Sequence, residues 1–278
     1  YPLGWVPSAW YWRRLMRAMG TDVGPLDAAR AYFCGHLGKY VPGKAVVLVI
    51  RAGMTKARGG SAAVAAVTAS FETLLMMGAG LALGLALFPV TGWPPVVVEY
   101  VPQAGAMPGL VVLALVLFLP AISLLLRKFA TLMTPRDVSG EKRPAEIDSR
   151  LVAVGLIVFC ASWALLGLSL GLTIRAASPD SFDLRDWPMW TGAVALATSV
   201  GFLAVFAPGG LGVREGLLIE ILRQQPGVSE REAVIAAVML RIVWFVAELA
   251  AAGGLYSLKR PVADESPNGR SKPNDDDA

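Results

Sequence analysis

Apolar residues in this chain gather in long runs, separated by polar loops or by breaks rich in glycine and proline. Four runs, Ser61–Phe88, Met107–Leu126, Leu151–Ile174 and Glu230–Leu258, reach the roughly 20 helical residues that a bilayer core requires. Two further stretches are apolar but interrupted. In the first, Pro25–Tyr40 and Lys44–Met54 flank Val41-Pro42-Gly43. In the second, Trp190–Ala207 and Leu211–Leu222 flank Pro208-Gly209-Gly210. The pattern predicts an all-α polytopic helical membrane protein. Its membrane domain, residues 1–258, comprises a broken hairpin over 25–56, spans over 61–88, 107–126 and 151–174, a second hairpin over 189–225 and a span over 230–258. Residues 259–278 are polar, contain prolines and end in three aspartates, which predicts a disordered cytoplasmic tail.

Loop charge sets the orientation. Arg127–Arg150 carries six Lys and Arg, whereas Pro89–Ala106 carries none. Loops rich in Lys and Arg stay cytoplasmic, so the first lies inside and the second outside. Lys56 and Arg58 then fall inside, as do Lys259 and Arg260 after the last span, while Arg175–Pro188 falls outside.

This topology leaves a parity problem. Met189–Gln225 must begin and end outside, because the last span runs inward. Two crossings need roughly 40 helical residues and a turn, more than this interrupted segment offers. A re-entrant hairpin resolves the conflict, and the first broken segment reads as another, entering from the opposite face. Irregular backbone at membrane depth requires surrounding protein or a wet cavity. Each hairpin precedes a span with intramembrane charge, Glu72 in one case and Arg241 with Glu248 in the other. Interrupted segments at corresponding places in two opposed halves point to an inverted-repeat-like arrangement around a midplane site.

Composition agrees: 55% of the residues are hydrophobic and 17% charged, below the quarter or so usual in soluble domains. The slight basic excess is explained by the loops and implies no nucleic-acid partner. The chain begins at Tyr1 with an aromatic, basic stretch; Tyr1–Trp12 reads as an interfacial belt anchored by Arg13, Arg14 and Arg17. That abrupt start predicts an N-terminally truncated chain with earlier transmembrane sequence. Cys34 and Cys160 show no metal or redox spacing and are expected to be buried small hydrophobes.

The strings "GKYVPGK" with a following Arg (Gly38–Arg51) and "APGGLGVRE" (Ala207–Glu215) resemble the lysylphosphatidylglycerol synthase transmembrane-region family, also described as flippase-like membrane proteins. "ASFETLL", with Glu72, and "VMLRIVWFVAE", with Arg241, also fit that pattern, over roughly Arg13 to Leu258. The resemblance implies movement of an amphipathic lipid, or a lipid-linked headgroup, between leaflets. Family members that modify phosphatidylglycerol carry a soluble aminoacyl-transfer domain after the membrane region; only about 20 polar residues follow Leu258 here. An archaeal branch is associated with dolichol-linked sugar transfer, so a lipid-glycosyl role stays open.

The candidate site combines both hairpins. After the break at Pro208, Gly209, Gly210 and Gly212 leave backbone N–H groups at a helix start, and Arg214 adds a forked donor set suited to phosphate. Arg214 either contacts lipid phosphate or pairs with a carboxylate, and the two readings are compatible. Glu215 orients Arg214, or itself meets headgroup or proton. Glu72 and Arg241 lie at similar mid-bilayer depth, where an isolated charge is costly. They are expected to pair with each other or to line a headgroup path, with Glu248 extending the stripe from Arg241. Around the first break, Lys39, Tyr40, Pro42, Gly43, Lys44 and Arg51 join His36. The three cations either contact an anionic headgroup or snorkel to the interface; His36 is structural or a proton relay.

No catalytic constellation, metal-ligand spacing or P-loop is present, so no metal, ATP or other cofactor is expected. Three classes of function remain: a flippase-like transporter of an anionic phospholipid, an aminoacylated lipid or a polyprenyl-phosphate-linked lipid; a membrane-embedded lipid-linked transferase; and a non-transporting accessory subunit. Expected partners are membrane lipids, anionic or isoprenoid-phosphate, with a separate lipid-modifying enzyme and a homo-oligomer also open. The expected location is the cell membrane, crossed several times.

Overall fold

The computed structural model describes residues 1–41, 45–91, 124, 128, 148–204, 210–225 and 227–258. Every regular element among them is helical. In chain order these are α1 (Pro2–Ala18), α2 (Pro25–His36), a 3-10 turn (Leu37–Tyr40), α3 (Ala45–Lys56), α4 (Ala62–Thr91) and α5 (Ser149–Ala177). Two short 3-10 turns lead to α6 (Trp187–Leu203), α7 (Val213–Leu222) and α8 (Glu230–Ser257). Three described helices are long and apolar enough to cross a membrane: Ala62–Phe88, Ser149–Ala177 and Glu230–Ser257. The predicted span over 107–126 lies, apart from Leu124, outside the described residues, as do Pro42, Gly43, Lys44, Pro208, Gly209 and the segment 259–278.

Local signals start the helices where the sequence places them. Asp148 caps α5, its carboxylate accepting from the Leu151 amide at 2.8 Å. Ser229 and Glu232 form a reciprocal capping box at the start of α8, with the Ser229 amide donating to Glu232 at 2.8 Å.

The core is built around α6, which is apolar on all sides and buried continuously from Trp190 to Ala197. Between membrane helices the hydrophobic drive is weak, and small residues that let backbones approach supply the packing. Two glycine pairs do this here. In α5, a Cβ on Gly171 would sit 2.1 Å from the Trp190 ring, and one on Gly167 2.5 Å from Thr191 Cα. In α4, a Cβ on Gly80 would meet Ser199 Oγ at 2.6 Å, and one on Gly84 the Leu196 Cβ at 3.0 Å. Polar contacts tie α4 to both neighbours: Trp163 Nε1 of α5 donates to Met76 O at 3.0 Å and Ser199 Oγ of α6 to Met77 O at 3.1 Å.

Both broken segments are helix pairs. Helix α2 packs on α3, and α6 on α7. In the first pair the 3-10 turn presses against α3, where a Cβ on Gly38 would meet the Val47 amide nitrogen at 2.7 Å. In the second, Gly210 adopts φ +71°, and a Cβ there would lie 3.1 Å from Gly201 O, so both conformation and space favour glycine. Helix α8 touches both pairs, contacting α2 and α7.

Two expectations are corrected. Tyr1–Trp12 does not face outward as a whole: Tyr11 and Trp12 are fully buried and Trp5 nearly so, while Trp10 is exposed. Helical periodicity puts Trp5, Ala9, Trp12 and Met16 on one inward face of α1, which packs on α2, α4 and α5. Cys160 is exposed on α5 rather than buried, and Cys34 is partly buried.

Candidate functional site

Three polar clusters, buried or partly buried, tie the two helix pairs to the long helices. The first joins α3 to α4. Arg51 Nη1 donates to Glu72 Oε2 at 2.9 Å, and Tyr32 OH donates to Glu72 Oε1 at 2.9 Å. The Arg51 guanidinium lies over the Tyr32 ring at 3.9 Å and near the Trp12 ring at 5.1 Å. Gly35 makes room for it, since a Cβ there would lie 2.5 Å from Arg51 Cγ.

The second cluster joins the 3-10 turn to α8. Lys39 Nζ donates to Glu248 Oε1 at 2.5 Å and to His36 Nε2 at 2.9 Å. A lysine ammonium has only donors, so His36 presents Nε2 as acceptor. Tyr1 OH also donates to Glu248, and its ring stacks on Trp244 at 4.4 Å. Tyr40 packs edge-on against Phe245 of α8 at 4.9 Å.

The third cluster centres on Glu215. Its Oε1 accepts from Arg214 Nε at 3.1 Å and Nη2 at 2.9 Å, and from Arg241 Nη1 at 2.6 Å. Its Oε2 accepts from the Gly212 amide at 2.9 Å, which caps the start of α7. Gly212, at φ +84°, turns the chain into that cap. The Arg214 guanidinium lies 5.3 Å from the Trp244 ring centre, and Trp244 Nε1 is held by Ser169 Oγ at 3.0 Å.

These clusters differ from the pairing expected from depth alone. Glu72 does not pair with Arg241: it is taken by Arg51 and Tyr32, while Arg241 is taken by Glu215. Sequence depth sets how far along a helix each charge lies, but the packing of α3 on α4 and of α7 on α8 decides who faces whom. Glu248, two turns beyond Arg241 along α8, pairs with Lys39 of the other helix pair. Arg51 does not snorkel, being only 2% exposed.

A cavity of about 420 Å³ opens between these elements. Its walls carry Lys39 and Arg51 from the first helix pair, Arg214 and Gly210 from the second, and Glu72 from α4. Aromatic and aliphatic side chains, among them Trp5, Met76, Trp163, Phe202 and Trp244, form much of the remainder. Its volume lies within the range of small-molecule sites. The sequence-predicted Lys39, Arg51, Glu72, Gly210 and Arg214 thus meet at one space. Tyr40, Gly212, Glu215, Arg241 and Glu248 lie outside its lining; Glu215 and Glu248 hold Arg214 and Lys39 in place, and Arg241 joins Glu215.

Sequence reasoning missed Tyr32 and Trp244. The signal for Tyr32 is its position one turn before His36 on α2; Trp244 stands one turn beyond Arg241 on α8. Among the described residues, no group of three or more His, Cys, Asp or Glu side chains is arranged to hold a metal ion.

A family model described as the lysylphosphatidylglycerol synthase TM region matches residues 2–252. No curated protein and no solved structure matches the chain. With the match running over both broken helix pairs, two candidate spans and most of the third, the chain belongs to the lysylphosphatidylglycerol synthase TM region family, a family of membrane proteins with a lipid-related role.

Proposed function

We propose that this protein is a multi-pass cell-membrane transporter that moves a lipid with an anionic, phosphate-bearing headgroup between leaflets. The observation that carries the reading is the cavity in which Lys39, Arg51 and Arg214 converge from two separate broken helix pairs among apolar walls. A headgroup phosphate meets the cations there, while acyl chains stay in the bilayer. Arg214 is the principal phosphate contact, because its fork can engage two oxygens and Trp244 supports its face.

In this reading the pairs 25–56 and 189–225 are re-entrant hairpins entering from opposite faces, and 259–278 lies in the cytoplasm. Loop charge supports that orientation. Lys39 and Gly210, next to the two breaks in sequence, line the same cavity, and irregular backbone at membrane depth requires such surroundings.

Reconstitution in liposomes with labelled phosphatidylglycerol or polyprenyl phosphate tests the proposal. Protein-dependent exchange of the label between leaflets, without change in its chemistry, is the expected result. A covalently altered lipid would replace transport with transfer chemistry. Absence of both exchange and product would favour an accessory role.

A further inference from the structure

The three clusters are unequal in what happens when their cation is withdrawn. Lys39, Arg51, Arg214 and Arg241 face Glu72, Glu215 and Glu248, one more cation than carboxylate. Withdrawing Arg51 leaves Glu72, 2% exposed, with only the Tyr32 hydroxyl. Withdrawing Lys39 leaves Glu248, 3% exposed, with the Tyr1 hydroxyl and the His36 ring, whose Nε2 lies 3.5 Å from Oε1, but without a permanent cation. A buried carboxylate stripped of its counter-ion is strongly destabilised. Of these three carboxylates, only Glu215 has two permanently charged side chains on one oxygen, with the Gly212 amide on the other.

We infer that Arg241 is a standby counter-ion that makes Arg214 available to a phosphate in the cavity. This deepens the proposed reading and rests on it. As Arg214, which lines the cavity, turns its donors to a phosphate, Glu215 stays paired with Arg241, which lies outside the lining, and remains capped to Gly212. No carboxylate is stranded and no proton moves. Arg241 is therefore a positioning residue: it acts on the ligand through Glu215, without touching it.

The test measures binding of dioleoylphosphatidylglycerol to the purified full chain in detergent micelles, with inorganic phosphate as a separate probe. Arg241→Met is expected to weaken lipid binding about tenfold, the equivalent of losing one charge-assisted interaction. In the Glu215→Gln background, which has no carboxylate to hold Arg214, adding Arg241→Met should change binding less than about twofold, well short of that tenfold step. A comparable tenfold loss in that background would mean that Arg241 attracts the anion directly, and would overturn the inference. Both variants in that comparison carry the Glu215→Gln change and strand no carboxylate at this position, so it decides the matter even where Arg241→Met alone does not fold. Arg214→Met separates the two levels: unchanged lipid binding there refutes the phosphate contact itself. Parallel effects on inorganic phosphate would assign the handover to any phosphate; effects confined to the lipid would assign it to a headgroup anchored by its chains.

Discussion

Arg51 and Glu72 face each other at 2.9 Å across α3 and α4, each only 2% exposed. The pair closes the first broken segment against a long helix, and the Tyr32 hydroxyl completes the carboxylate's shell at 2.9 Å.

Breaking that pair from one side should be costly. Glu72→Leu and Arg51→Met are each expected to destabilise the protein by about 3–5 kcal/mol, because one buried charge remains alone. The double variant should lose less than the sum by more than about 0.5 kcal/mol. Glu72→Leu combined with Arg241→Met should instead be additive. Thermal unfolding in detergent, followed by tryptophan fluorescence, measures both cycles; coupling to Arg241 rather than Arg51 would contradict the assignment.

The glycine contacts around α6 give a second prediction. Gly171→Ala places a methyl 2.1 Å from the Trp190 ring and should cost about 1–3 kcal/mol. Gly78→Ala, in α4, meets nothing within 4 Å and should be neutral or slightly stabilising. Equal unfolding temperatures for the two variants would refute close packing at this crossing.

Arg30 holds the end of α8 to α2, its Nε donating to Leu255 O at 2.7 Å and its Nη2 to Leu258 O. Arg30→Met should loosen the final turn without affecting the first turn at Glu230. Hydrogen exchange is the readout: faster exchange confined to the last turn is expected, and unchanged protection there would show that the guanidinium does not clamp it.

Arg214→Ala is expected to lower leaflet exchange at least about tenfold, the loss of a charge-assisted phosphate contact. The protein should still assemble, since Glu215 retains Arg241 and the Gly212 amide. Normal exchange by a folded variant would remove Arg214 from the transport path.

Much of this arrangement is legible along the chain. The apolar runs at 61–88, 151–174 and 230–258 correspond to long helices, and each break falls between two described helices. Ser229 and Glu232 announce the start of α8 through a local rule of spacing. The two breaks mark where Lys39 and Arg214 lie along the chain, and the fold brings both to one cavity.

By itself, the sequence determines the helical class, the places where helices stop and the need for Glu72, Glu215 and Glu248 to have partners. These follow from length, glycine and proline geometry, and the cost of an isolated charge in an apolar medium. Tertiary structure alone decides which partner each carboxylate takes. Depth along a helix accrues at about 1.5 Å per residue and can be counted, but the facing neighbour depends on how helices rotate and pack. Gly35 admits Arg51 to the side of Glu72, and the contact of α7 with α8 brings Arg241 to Glu215.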